Sequence, residues 1–199
     1  MFDVQQWLAS GGIVLLAAIV FAESGLLVGF FLPGDSLLFI AGFLTSGAGG
    51  HTLPALPFTA AVVFVAAAAG DQVGYLLGRR FGASALVKPR SRLFNPHNVD
   101  RTRAFFAEQG PKAVVLARFV PVVRTFTPMV AGVGGMDYRT FTTYNLIGAG
   151  AWGVGLTTLG HFLGEVEFIK KHIELAVVLI VVVSLVPVAL EYRRTRATG

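Results

Sequence analysis

The chain reads as an all-α integral membrane protein: four transmembrane helices plus two opposed re-entrant helical hairpins, related as an inverted repeat. Three observations predict this class. Mean hydropathy is +0.70, several apolar runs approach bilayer length, and two further apolar runs are broken by proline, glycine and charge. Of 199 residues, 54% are hydrophobic and 14% charged, a balance too apolar for a globule bathed only in water.

A helix needs about 20 apolar residues to cross the hydrocarbon core. Residues 12–32, 58–78 and 141–160 meet that length, and 173–190 approaches it. Residues 33–44 are interrupted at their start by Pro33, Gly34 and Asp35, and residues 113–134 by Arg118, Pro121 and Arg124. A proline at such a point breaks the helix, lipid cannot satisfy the freed amides, and a charge there is costly to bury. Both segments are therefore expected to dip into the membrane and line a protein-walled or wet cavity.

Basic residues set the orientation. None precedes Arg79, whereas Arg79, Arg80, Lys88, Arg90, Arg92, Arg101, Arg103 and Lys112 follow closely. The positive-inside rule places the loop 86–110 in the cytoplasm, with Arg193, Arg194 and Arg196 placing the C-terminus there too. Parity then puts the N-terminus inside and 45–57 outside, in a multi-pass protein of the plasma membrane. Lys170 and Lys171 oppose this mildly and are offset by Glu165 and Glu167. Residues 94–109, with Phe105 and Phe106 among basic residues, read as an amphipathic helix on the inner leaflet. No removable signal peptide is expected, because the start lacks a basic region and a small-residue cleavage site.

Several classes fall away. With no cysteine there is neither disulfide nor thiolate metal site, and His51, His97, His161 and His172 lack metal-ligand spacing. The charge of +5 follows the membrane flanks and does not form the aromatic-studded basic face of a nucleic-acid binder. No serine elbow or Walker loop is present. Neither enzyme activity, cofactor nor nucleic-acid partner is expected.

The two broken segments echo each other. Phe31-Leu32-Pro33, Asp35 and Ala41-Gly42 match Phe119-Val120-Pro121, Arg124 and Ala131-Gly132. Entering from opposite faces, such copies build transporter sites near the midplane. Glu23 and Asp35 are costly there and suit proton carriage, although Asp35 also suits an N-cap for residues 36–44. Arg118 and Arg124 suit a phosphate, which a guanidinium grips bidentately. Arg118 is the better placed of the two to reach the cytoplasmic interface, and both can alternatively serve as ion-pair partners of Glu23 and Asp35. Asp71, Gly74, Gly78 and Gly82 share one helix face, as do Gly148, Trp152, Gly155 and Gly160; both faces read as helix packing, with Asp71 in need of a partner.

The ordered set Glu23, Phe31-Leu32-Pro33-Gly34-Asp35, Gly70-Asp71-Gln72-Val73-Gly74-Tyr75, Gly78-Arg79 and Arg118-Phe119-Val120-Pro121-Val122-Val123-Arg124 resembles the DedA family, also described by its VTT or SNARE-associated domain. The resemblance covers about 12–190. It implies two opposed re-entrant hairpins and a link to lipid translocation, envelope homeostasis and proton-dependent transport. Members include carriers that recycle undecaprenyl phosphate, and eukaryotic relatives act as phospholipid scramblases. The family's essential acidic pair maps onto Glu23 and Asp35 and its basic pair onto Arg118 and Arg124, with Pro33, Gly34, Asp71 and Pro121 in support. The expected function is a proton-coupled lipid translocase, with a polyprenyl phosphate as lipid partner. A scramblase, a small-molecule antiporter and a homeostasis factor without substrate are the alternatives; a homo-oligomer is compatible with any of them.

Overall fold

The computed structural model describes residues 4–25, 34–47, 50, 52–86 and 108–167. Among them there are helices and turns and no strand. Helix α1 spans Val4–Gly25, α2 Gly34–Thr45 and α3 Leu56–Leu86. A single 3₁₀ turn leads into the short α4 (Ala113–Ala117), and α5 follows over Pro121–Val133. Helix α6 (Tyr138–Ala149) continues through a π-helical turn, Gly150–Val154, into α7 (Gly155–Gly164). The expected span 173–190, the amphipathic stretch up to residue 107, and Pro33 lie outside the described residues.

Local chemistry sets the helix boundaries that matter. Val120 is extended (φ −116°, ψ 105°) and Pro121 opens α5, where its fixed φ suits a first helical turn and its missing N–H costs nothing. Asp137 caps α6 by accepting the Thr140 amide at 3.0 Å, and that hydrogen bond holds its exposed carboxyl below the usual carboxylate range.

Two described helical stretches are long and apolar enough to cross a bilayer, Leu56–Phe81 and Tyr138–Gly164, of 26 and 27 residues. At 1.5 Å per residue each is roughly 40 Å long, more than the ~30 Å core requires. The broken segments pack on these two long helices in a reciprocal way. On α2 and α7, the bare Cα of Gly42 faces the Thr157 carbonyl while Gly160 faces the Phe39 carbonyl. On α5 and α3, Gly132 faces the Tyr75 carbonyl while Gly78 faces the Met129 carbonyl. A methyl group at any of the four would overlap backbone. Each contact thus joins two glycines, each lying three residues after the carbonyl that its partner touches. The Ala-Gly echo in the sequence is two copies of one helix-packing device, and each copy's second arm seats on the other copy's long helix.

The first expected span, 12–32, falls within the described residues only as far as Gly25. Helix α1 runs alongside α3 in the same direction: Leu16 and Val20 share a core with Val63, Ala66 and Ala67, whereas Gly25 meets Gly70 and Gly74 further along. Its final turn, at the mid-depth of α3, meets Gly34 at the start of α2. The described end of α1 and the start of α2 therefore meet at the mid-depth of α3. Gly12, with φ 61°, kinks α1 near its start.

This geometry sets Gly12 at the same end as Leu56, opposite Arg79 and Arg80. Ser46 is fully buried, with its hydroxyl donating to the Phe43 carbonyl, so exposed Thr52 is the better reporter of the α2–α3 loop. Single cysteines at Ser10 and Thr52 should label with an impermeant thiol reagent from one side of the membrane, and one at Ser91 from the other. Labelling of Ser10 from the Ser91 side would restore a full crossing over 12–32.

Candidate functional site

The convergence of broken arms at mid-depth brings charged side chains together. Glu23 lies in the last turn of α1, Asp35 in the first turn of α2 and Arg124 in the first turn of α5. The Arg124 guanidinium is shared: Nη1 donates to Asp35 Oδ1 at 2.6 Å and Nη2 to Glu23 Oε1 at 2.5 Å. The Glu23 carboxylate fills the space that a side chain at Gly34 would need, and the Gly34 amide hydrogen-bonds to it. Glycine at 34 is what lets the two arms of this hairpin meet through a carboxylate. Asp35 sits where the α2 dipole favours negative charge.

Arg118 forms a second node. It occupies the turn between α4 and α5 and is 5% exposed. Its Nη2 donates to Asp71 Oδ2 on α3 and, at 2.7 Å, to Asn145 Oδ1 on α6. Asn145 in turn donates through Nδ2 to the Ala68 carbonyl at 3.0 Å. Gly148 leaves room for the Arg118 stem. Among the described residues, Arg118 Nε is buried without a hydrogen-bond partner.

Trp152, on the π-helical turn, joins the nodes. Its Nε1 donates to Asp35 Oδ1 at 2.8 Å, and the guanidinium carbons of Arg118 and Arg124 stand 5.8 and 5.1 Å from its ring centroid, within cation–π range. A π turn inserts one extra residue and re-aims the side chains beyond it, a device common at functional sites. Between these groups is a small cavity lined by Glu23, Ser24, Asp71, Arg118, Arg124 and Trp152, with about 10 Å³ of free space, room for roughly one water.

Charge counting constrains what the cluster can do. Glu23, Asp35 and Asp71 carry three negative charges when ionised, against two positive charges on Arg118 and Arg124, leaving −1. Burying net charge is costly. No anion fits while Arg124 holds both carboxylates; releasing either frees part of its fork.

The sequence expectations map onto this site unevenly. Glu23, Asp35 and Arg124 come together. Arg118 neither reaches for the interface nor pairs with Glu23 or Asp35, because Asp71 takes it. Asp35 stands inside α2, which starts one residue before it, and its Oδ1 serves Arg124 and Trp152; a cap ahead of residue 36 is not its position. Trp152 belongs to the charged cluster as well as to a packing face. Asn145 escapes the sequence reading, although an amide in the middle of an apolar run asks for a buried partner.

Two helical stretches long and apolar enough to cross a bilayer, with a buried charged cavity packed against them, fit an α-helical membrane protein. The VTT domain family model matches residues 32–162, a range holding every cluster residue except Glu23. The chain is 43% identical to Protein DedA of Escherichia coli (strain K12) over 184 residues, 90% of this chain and 81% of that protein. It is 41% identical over 197 residues to an uncharacterized membrane protein of Mycobacterium tuberculosis (strain ATCC 25618 / H37Rv), covering 94% of this chain and 84% of that one. Identity to inner membrane protein YqjA of Escherichia coli (strain K12) is 36% over 159 residues, 79% and 70% of the two chains. No solved structure matches. The chain belongs to the DedA family of membrane proteins.

The Arg118 node makes a stability prediction. Asp71→Ala strands a buried guanidinium and should cost about 3–5 kcal/mol, whereas the apolar double replacement Asp71→Leu with Arg118→Met should recover most of that loss. Denaturant unfolding in detergent micelles measures both. A loss below about 1 kcal/mol in Asp71→Ala would contradict a buried pair.

Proposed function

We propose that this protein is a translocase for a lipid phosphate monoester, best matched by a polyprenyl phosphate such as undecaprenyl phosphate, and that it works in the inner membrane with protons as the coupling ion. The observation that carries the reading is the Arg124 fork, occupied by one oxygen from each of two carboxylates on different arms. Two oxygens on a fork is the geometry of bidentate phosphate recognition. Glu23 and Asp35 therefore stand in for the phosphate when the site is empty. Protonation weakens their hold on Arg124 and frees the fork, and the protons match the charge that the phosphate brings into a low-dielectric cavity. Proton and lipid phosphate are thus taken up together. The arm pairs α1–α2 and α4–α5 are read as re-entrant from opposite faces, so that the site exchanges between leaflets by movement of one reciprocal helix pair against the other. The basic loop after Arg79 is read as cytoplasmic, together with the C-terminal tail.

One feature favours a second reading, a homeostasis factor without substrate: in the closed cluster both arginines are already paired, which a purely structural role also requires. Arginine-to-lysine exchange separates the two, since lysine keeps the charge and loses the fork.

In liposomes loaded with a labelled polyprenyl phosphate, wild-type protein should move the lipid between leaflets, and an imposed proton gradient should set the direction. Arg124→Lys should lower affinity by about tenfold or more, in line with the ~1.5–3 kcal/mol of a charged hydrogen bond. Glu23→Gln and Asp35→Asn should insert normally and lose the response to the gradient. Full activity in Arg124→Lys and in the double amide variant would leave only the structural reading.

A further inference from the structure

Beside the Arg124 fork, the closed cluster holds another N–H donor, the indole of Trp152. Two N–H groups converge on a single atom, Asp35 Oδ1: Arg124 Nη1 at 2.6 Å and Trp152 Nε1 at 2.8 Å. A single oxygen held by a guanidinium and an indole is an oxyanion pocket already filled, with Asp35 supplying the oxyanion. When Asp35 leaves, both donors still point at the place it vacated, and a buried indole N–H left without an acceptor is costly.

Resting on the phosphate reading, we propose that Trp152 is a direct ligand of the substrate phosphate, its indole N–H passing from Asp35 Oδ1 to a phosphate oxygen that Arg124 also holds. The surroundings fit that role. Trp152 is 3% exposed and lines the cavity, facing charged groups from every side: Glu23 on α1, Asp35 on α2, Asp71 on α3, Arg118 ahead of α5 and Arg124 on α5. Both guanidinium groups stand within cation–π range of its ring. The indole donates and cannot accept, so it selects an oxyanion over a cation or an amine. The π turn is what delivers it: removing the extra residue would rotate position 152 by about 100° around the helix.

The alternative role, a latch that only holds Asp35 in the closed state, has the opposite sign. A latch stabilises the empty site, so removing its N–H would tighten binding or leave it unchanged at either pH. A phosphate ligand weakens binding at low pH when removed.

The test uses the full chain in phosphatidylcholine nanodiscs, with geranylgeranyl monophosphate, geranylgeraniol and inorganic phosphate as probes at pH 5.5 and 8. In a Trp7→Phe background Trp152 is the sole tryptophan, since the chain has two. Its emission should shift saturably with the monophosphate and not with the alcohol. A shift with inorganic phosphate at similar concentrations supports the same contact and assigns recognition to the phosphate without its lipid. Adding Trp152→Phe, which keeps an aromatic face and deletes the N–H, should weaken monophosphate binding about tenfold at pH 5.5, read by a labelled probe. Equal or tighter binding at pH 5.5 overturns the proposal and leaves Trp152 as a latch. Should Trp152→Phe fail to fold, the emission shift decides, and its absence in a parent that binds the monophosphate overturns the proposal. If the parent binds no monophosphate at either pH, the phosphate reading itself falls, and this inference with it.

Discussion

One guanidinium at mid-depth organises the molecule. Arg124 reaches two carboxylates that belong to different helices, Glu23 at the end of α1 and Asp35 at the start of α2, and so closes three broken helix ends around itself. A charge of this kind cannot be left unpaired in a low-dielectric interior. It also cannot be paired without bringing α1, α2 and α5 to one point. The hairpins are thus short by necessity, their ends meeting where the cation is.

The rest of the architecture makes that meeting possible without strain on the backbone. The glycine contacts Gly42 with Gly160 and Gly78 with Gly132 let each second arm lie directly on the backbone of a long helix, so that van der Waals contact takes over the role that apolar burial plays in water. Asp35 and Arg124, two and three residues after the proline of their respective copies, are drawn together by this exchange. Their opposite charges are the point at which the repeat departs from symmetry. Arg118 breaks it further by pairing with Asp71 and Asn145, whereas Arg124 is shared between two acceptors on different helices.

Much of this is legible in the sequence, and the failures have physical causes. Proline and charge inside apolar runs locate both broken segments, because lipid tolerates neither. The four charged positions stand out for the same reason, and three of them do meet. The partner of Arg118 is misjudged because a helix-face reading assigns Asp71 to a glycine row without saying what crosses that row. The meeting of the end of α1 with the start of α2 is not legible in hydropathy, which says nothing of which helix ends touch; Gly25 and Gly34, where a side chain would collide with a neighbour, are the available clues. Trp152 is invisible as a site residue, since a π turn leaves no pattern in composition, and an indole on a glycine-rich face reads as packing until its N–H is seen on a carboxylate.

The central claim is that protons and phosphate enter this cavity together. Calorimetric binding of geranylgeranyl monophosphate at pH 8, repeated in buffers of different ionisation enthalpy, measures the protons exchanged per phosphate bound. Arginine contact favours the phosphate's more ionised form, so the ligand alone would release protons. The account predicts net uptake, lost when Glu23→Gln and Asp35→Asn are combined. Binding with proton release, or with no exchange, would contradict it.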